Sequence, residues 1–394
     1  MIDEKDKAGA SASGSGMSAR IGRARAYSDS DPDTRAAADR TADEPVAAGR
    51  SAILAPSAAA RRSIAVIIGL AIFLVATVCV SLMLGRYPIE PVQALGMLID
   101  QIPGVALEQF WTDQQATLFF NVRLPRIVLA IMVGCCLATA GAAFQGTFQN
   151  PLVSPDILGA SQGAAFGAAV AILAGAAAFG VSLSAFAFSI ATVLLVLLVS
   201  SRAKGNRILV TVLAGTMISS LFSAGVSFTK LVADPTDELP AITYWLMGSL
   251  TGAKMSDIML AAIPMAAGVI VLFALRWRIN ILTMGDDEAA TMGVNARRLR
   301  LVIIVAATLA TAASVAVTGM IGWVGLVIPH LCRMMVGSDY RKLIPTSMLL
   351  GASFLLIVDN VSRLATTSEI PIGILTAFIG APFFLYLITR KKKV

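Results

Sequence analysis

From residue 63 to residue 389 the sequence is a succession of apolar runs without charge, and this pattern limits the fold more than any other feature. In lipid, a backbone must satisfy its own hydrogen bonds, so an uncharged run of about 18 or more residues reads as a membrane-crossing helix. Runs at 63–84, 127–154, 157–201, 208–229, 258–275, 301–332, 343–358 and 370–389 meet or approach that length. The 157–201 run has room for two helices joined by a tight turn near 177–182. The 301–332 run is interrupted by "GMIGWVGLVIPH", whose glycines and Pro329 divide it in two. The expectation is an all-α polytopic membrane protein with about ten transmembrane helices of ~20 residues each. A chain that is 57% hydrophobic and 14% charged agrees with this and lies outside the range of soluble domains.

Residues 1–60 have a different character. "SASGSGMSAR" and "SDSDPDTRAAADRTADEPVAAGR" contain almost no large apolar side chains, so they bury too little surface to offset the entropy of ordering. They read as a disordered cytoplasmic N-terminal extension, followed by a transmembrane domain over 61–394. "ARRSIAVIIGLAIFLVATVCVSLML" resembles a twin-arginine leader, but its apolar run is too long and no A-x-A site follows. Residues 63–84 are therefore the first membrane helix.

The chemistry-bearing residues exclude several classes of function. Cys79, Cys135, Cys136 and Cys332 lie in or beside apolar runs with no metal-ligand spacing, and His330 is the single histidine. There is no GxxxxGK motif followed by Ser or Thr, and no Ser/His/Asp set can be assembled around "IPHLCR". The chain is thus expected to be a transporter component or channel rather than an enzyme, with no metal or cofactor of its own and no nucleic-acid partner.

Orientation follows from lysine and arginine. With the N-terminus in the cytoplasm and alternating spans, cytoplasmic segments hold ten in 1–62, three in 202–207, five in 276–300, three in 333–342 and four in 390–393. Both termini are then cytoplasmic. Arg86, Arg123, Arg126, Lys230, Lys254 and Arg363 remain at the outer side. Arg123 and Arg126, in "NVRLPRIVLAIMVG", open a long apolar run and are expected to face outward, where a charge can reach water. Asp359 and Arg363 stand four apart in "LLIVDNVSRLA" and are expected to pair on one helix.

Three other stretches carry readable structure. In "ILGASQGAAFG", Gly159, Gly163 and Gly167 form a small-residue stripe suited to close helix packing, or to a flexible pathway helix. Before it, "FQNPLVSPDILG" places Asn150, Pro151 and Pro155 in a cytoplasmic turn. In "MGDDEAATMGVNARRLR", Asp286, Asp287 and Glu288 suit the positive end of a short helix and Gly293 its stop. Asn295 suits the cap of a second short helix ending in Arg297, Arg298 and Arg300. Two short cytoplasmic helices would make a docking surface.

From about residue 64 to its end the chain resembles the FecCD family, the permease subunits of binding-protein-dependent ABC importers for iron–siderophore, haem and cobalamin. The stretches that carry the resemblance, in family order, are "RLPRIVLAIMVG", "FQNPLVSPDILGASQGAAFG", "YWLMGSL", "MGDDEAATMGV", "GMIGWVGLVIPHLCR" and "EIPIGILTAFIGAPFFLYLI". The long N-terminal extension and the Met that opens "MGDDEAATMG" depart from the family pattern.

The resemblance implies a type II ABC importer permease fold in a bacterial cytoplasmic membrane. It implies a second permease chain, identical or paralogous, and two ATPase subunits that use the ATP. It further implies that Gly285, Asp286, Asp287, Glu288, Ala289, Gly293, Val294 and Asn295 form the ATPase-coupling loop. Arg123, Arg126 and Arg363 become the landing site for an extracytoplasmic binding protein. Gly159, Gly163, Gly167, Asn150 and Pro151 are assigned to the pathway or to helix packing. The expected cargo is a ferric siderophore, with haem or cobalamin as the alternative. An ion-coupled secondary transporter is a rival from another class, and it would need mid-membrane carboxylates, for which Asp359 is the one candidate.

Overall fold

The computed structural model describes residues 58–85, 87–103 and 108–389; most of the expected N-terminal extension lies outside them. Among the described residues the secondary structure is helical, with no strand. Seven helices are long and apolar enough to cross a membrane: α1 (Ala58–Met83), the continuous 113–147 rod, α6 (Ala178–Arg202), α7 (Arg207–Val232), α9 (Met255–Leu282), α11 (Ala296–Thr318) and α13 (Tyr340–Leu364). Three shorter apolar helices, α5 (Ala160–Leu173), α12 (Val324–Val336) and α14 (Ile372–Thr389), complete the ten membrane elements expected from the runs. The turn between α5 and α6 falls at 174–177, slightly ahead of the expected place, and the 301–332 run is divided as expected. Short helices α2 (Pro91–Asp100), α8 (Glu238–Met247) and α10 (Asp286–Thr291) lie between membrane elements; the first two carry no run long enough to have been foreseen.

The rod has three parts: α3 (Asp113–Leu118), a π-helical turn over Phe119–Arg123, and α4 (Leu124–Thr147). Thr112 caps its start by accepting from the Gln115 N–H at 3.2 Å, while the Gln115 side chain accepts from the Thr112 N–H at 2.9 Å. Pro125 lies inside the continuous rod and has no N–H to give to the turn before it; the π-helical turn at Phe119–Arg123 is where the ladder changes step. At ~1.5 Å per residue, Arg126 and Thr147 are ~32 Å apart, about one hydrocarbon thickness. The two ends of α4 thus reach the two faces of the membrane.

α4 is the core of the fold. In its most apolar window 78% of residues are buried, against 22% for α7 and 17% for α1, so α4 lies inside and the other two at the periphery. α13, α11, α9 and α12 pack around it. Two glycines set the closeness of that packing. A Cβ on Gly134 would lie 2.3 Å from the Gly351 carbonyl oxygen, and one on Gly141 would lie 1.9 Å from the Gly325 carbonyl oxygen. Backbone therefore meets backbone, as small residues permit in lipid.

α5 and α12, with 14 and 13 residues, are only ~20 Å long and cannot cross alone. The segments that precede them complete the crossings. Irregular backbone at membrane depth needs protein or a polar cavity around it. Ser154, Asp156 and Ile157 before α5 and residues 320–322 before α12 indeed line one cavity, together with Thr216 and Ser219 of α7.

Candidate functional site

Two clusters of polar side chains occupy the two ends of α4. At the first end are the three arginines expected to face outward. The structure corrects that expectation: Arg123 and Arg126 each keep only 5% of their surface exposed. A guanidinium taken out of water must find acceptors within the protein, and both do. Arg123 donates to the Leu82 carbonyl at 2.7 Å and to the Tyr87 carbonyl, so it closes the C-terminal end of α1, where unpaired carbonyls favour a cation. Arg126 turns the other way. Its Nε donates to Asp359 Oδ1 at 2.8 Å, and its Nη1 reaches Glu369 Oε2 at 2.8 Å and Oε1 at 3.0 Å. The three-residue spacing does not give the two arginines a shared outward aspect.

Arg363 forms the pair expected from its spacing, with Nε 3.3 Å from Asp359 Oδ2. Its Nη2 also donates to Ser81 at 3.2 Å and to the Asn360 side chain. Arg363 keeps 11% of its side chain exposed, against none for Asp359. Glu369 was not singled out in the sequence. It is 243 residues from Arg126, and no local spacing signals the contact. Thr251 donates to Glu369 Oε2 at 2.6 Å. Burial opposes ionisation of Glu369, but the bonds from Thr251 and Arg126 and the nearby arginine charges outweigh it and hold the carboxyl below its ordinary value. The same end is laced by backbone bonds from Ile372 N to Gly248 O at 2.9 Å and from Ser249 N to Thr318 O at 2.7 Å.

The second cluster centres on the 284–300 connection. α10 begins with Asp286, Asp287 and Glu288 in its first turn, as the positive end of a helix favours. Gly285 precedes it at φ +130°. Gly293, at φ +75°, stops it: the Gly293 N–H bonds to Ala290 O at 3.0 Å and the Val294 N–H to Ala289 O at 2.9 Å, a Schellman termination. Asn295 then accepts from the Arg298 N–H at 3.0 Å and caps the next helix. That helix is α11, which runs on for 23 residues into the bundle. The connection therefore holds one short helix where two were expected, because the apolar residues after Arg300 continue the second without a break.

Arg300, whose place in the sequence suits the end of a second short helix, is buried in the first turns of α11. Its Nη2 and Nη1 grip the Asp286 carboxylate at 2.8 and 3.2 Å, and its Nε donates to the Thr147 carbonyl at 3.3 Å. The bond from Arg300 holds the Asp286 carboxyl below the usual aspartate range. Around it, Gln149 donates to Leu282 O at 2.6 Å, and Asn280 donates to Asp339 Oδ1 at 2.7 Å.

The remaining candidates are placed as follows. Gly163 and Gly167 face α6: a Cβ would come within 2.8 Å of Phe188 O at the first and 2.7 Å of Ser184 O at the second. Of the two readings of the stripe, these two residues fit helix packing. Gly159 starts α5 at φ +79°. Asn150 and Pro151 are exposed in the expected turn, where the Asn150 side chain accepts from the Leu152 N–H at 2.9 Å.

The model of the FecCD transport family matches residues 73–390. The molybdate import system permease protein MolB of Haemophilus influenzae is 40% identical over 328 residues, covering 83% of this chain and 96% of its own. The hemin transport system permease protein HmuU of Yersinia pestis is 37% identical, covering 71% and 86%. A solved structure described as an inward-facing conformation of a metal-chelate type ABC transporter superposes with a TM-score of 0.73 at 39% identity, over 82% of this chain and 98% of that one. A multi-pass helical bundle matched over most of its length by a transport-family model and by permease subunits of ABC transporters, this chain belongs to the FecCD transport family as a permease and not as an enzyme.

Proposed function

We propose that this chain is the permease of an importer that carries a ferric siderophore or related iron chelate across a bacterial cytoplasmic membrane, with both termini in the cytoplasm. It works with a second permease chain, two ATPase subunits and an extracytoplasmic binding protein. The chain itself holds no cofactor, and the ATPase subunits consume the ATP. The observation that carries this reading is α10, an exposed acidic helix with glycine at both ends, bound to the bundle through Arg300. An exposed helix so tethered suits a partner that pushes on the bundle from the cytoplasm.

The arginine end is the landing face in this reading. Three arginines there stand against the two carboxylates Asp359 and Glu369, which leaves positive charge for an acidic partner. Arg363, the most accessible, makes the contact, while Arg123 and Arg126 hold the shape of the rim.

The permease named for molybdate aligns over 83% of this chain, which favours an oxyanion as the second cargo reading, beside haem and cobalamin. The test is uptake into vesicles holding the full transporter, with its binding protein outside and a ferric siderophore, haem, cobalamin and molybdate in competition. Siderophore uptake that requires ATP is expected. Uptake of molybdate alone overturns the cargo. Uptake that follows an ion gradient without the ATPase overturns the importer class.

A further inference from the structure

The 284–300 connection reaches the bundle through the chain at both ends, from α9 and into α11, through Ala289, buried in the core, and through the side chain of Arg300. The Arg300 link alone leads to α4. One guanidinium holds Asp286, the first residue of α10, and Thr147, the last residue of α4. The fork of an arginine fixes both directions and angles, which a lysine ammonium does not. α10 is flanked by Gly285 and Gly293 at positive φ, so its two ends are glycine joints.

α4 in turn is closely packed along its length. Its backbone touches that of α13 at Gly134–Gly351 and that of α12 at Gly141–Gly325, and close-packed interiors transmit displacement. At its far end Arg126 holds Asp359 and Glu369. A shift of α10 applied to Thr147 is thereby applied to the arginine end ~32 Å away.

We propose that Arg300 is the positioning residue that makes α4, rather than α9 and α11 alone, a direct receiver of motion from α10. This rests on the reading of α10 as the ATPase contact. Without the Arg300 link the ATPase still binds and hydrolyses ATP, but its stroke reaches α4 poorly.

The experiment uses the assembled transporter in vesicles and measures three quantities: ATPase retained on the purified permease, cargo imported per ATP hydrolysed, and the thermal unfolding midpoint. The variants are Arg300→Lys, Arg300→Gln, Asp286→Asn and the exchange Asp286→Arg with Arg300→Asp. Arg300→Lys keeps the buried charge and so keeps the fold; its import per ATP is expected to fall about tenfold with the ATPase still bound. The exchange restores the ion pair between α10 and α11 but sets a carboxylate against the Thr147 carbonyl. It is expected to retain ATPase and remain uncoupled. Normal coupling in Arg300→Lys and Arg300→Gln, or full recovery in the exchange, overturns the proposal and leaves Arg300 as a local tether. If the wild-type permease does not retain the ATPase, the α10 contact reading falls, and this proposal with it.

Discussion

A carboxylate with no exposed surface, set among the apolar side chains of α13, stays in place only while cations answer it, and at Asp359 two of them do. Breaking a buried pair by removing one partner typically costs ~3–5 kcal/mol, because the other charge is left behind. Asp359→Ala should therefore destabilise the purified permease by about that amount, read from its unfolding midpoint. Glu369→Gln should cost under ~1 kcal/mol, because Glu369 keeps 28% of its side chain exposed and water screens the pair. The smaller effect should also depend on pH. The carboxyl of Glu369 lies below its ordinary value of 4.5, so its stabilisation is present above that pH and is lost as pH falls beneath it. The gap between wild type and Glu369→Gln should stay constant from neutral pH down to 4.5 and close below; a gap that closes above 4.5 would refute the assignment.

At the level of one element, α10 gains its position from its stop. Gly293 has φ +75° and nothing within 4 Å of where a Cβ would be, so a substitution there strains the backbone without a clash. An L-residue pays ~1–2 kcal/mol in that conformation, and asparagine tolerates it better than valine. Gly293→Val is expected to lower both ATPase binding and uptake several-fold, and Gly293→Asn to keep most of each. Gly175 offers a matched control, with φ +69° and equally open space in the α5–α6 turn. Gly175→Val carries the same strain far from α10 and should leave uptake near normal. Equal losses at the two sites would assign the effect to general instability.

Across the whole molecule, what sequence made legible was what repeats or lies close along the chain. Uncharged runs revealed the spans. The i, i+4 spacing revealed Asp359 with Arg363, and Gly293 revealed the end of α10. Contacts between distant segments left no such trace. Glu369 and Arg126 are 243 residues apart, and Thr147 and Arg300 are 153 apart, so neither pairing has a period or a motif. The inward aspect of Arg123 and Arg126 is hidden for the same reason: their acceptors belong to α1, the segment after it, α13 and the segment before α14. That separation also matters while the chain is being made. α4 enters the membrane with Arg126 unpaired, and Asp359 is synthesised 233 residues later. At ~5–20 residues per second, the arginine waits on the order of ten seconds or more for its carboxylate. Through that interval the nascent permease holds an unanswered charge at the edge of the bilayer, a mark by which a membrane protease can tell unfinished chains from finished ones. Chains stopped after residue 350 should be cleared several-fold faster in a pulse-chase experiment than full-length ones, and Arg126→Leu should slow the clearance of the stopped chains. Both carboxylates that answer Arg126, Asp359 and Glu369, are made only in the last tenth of the chain.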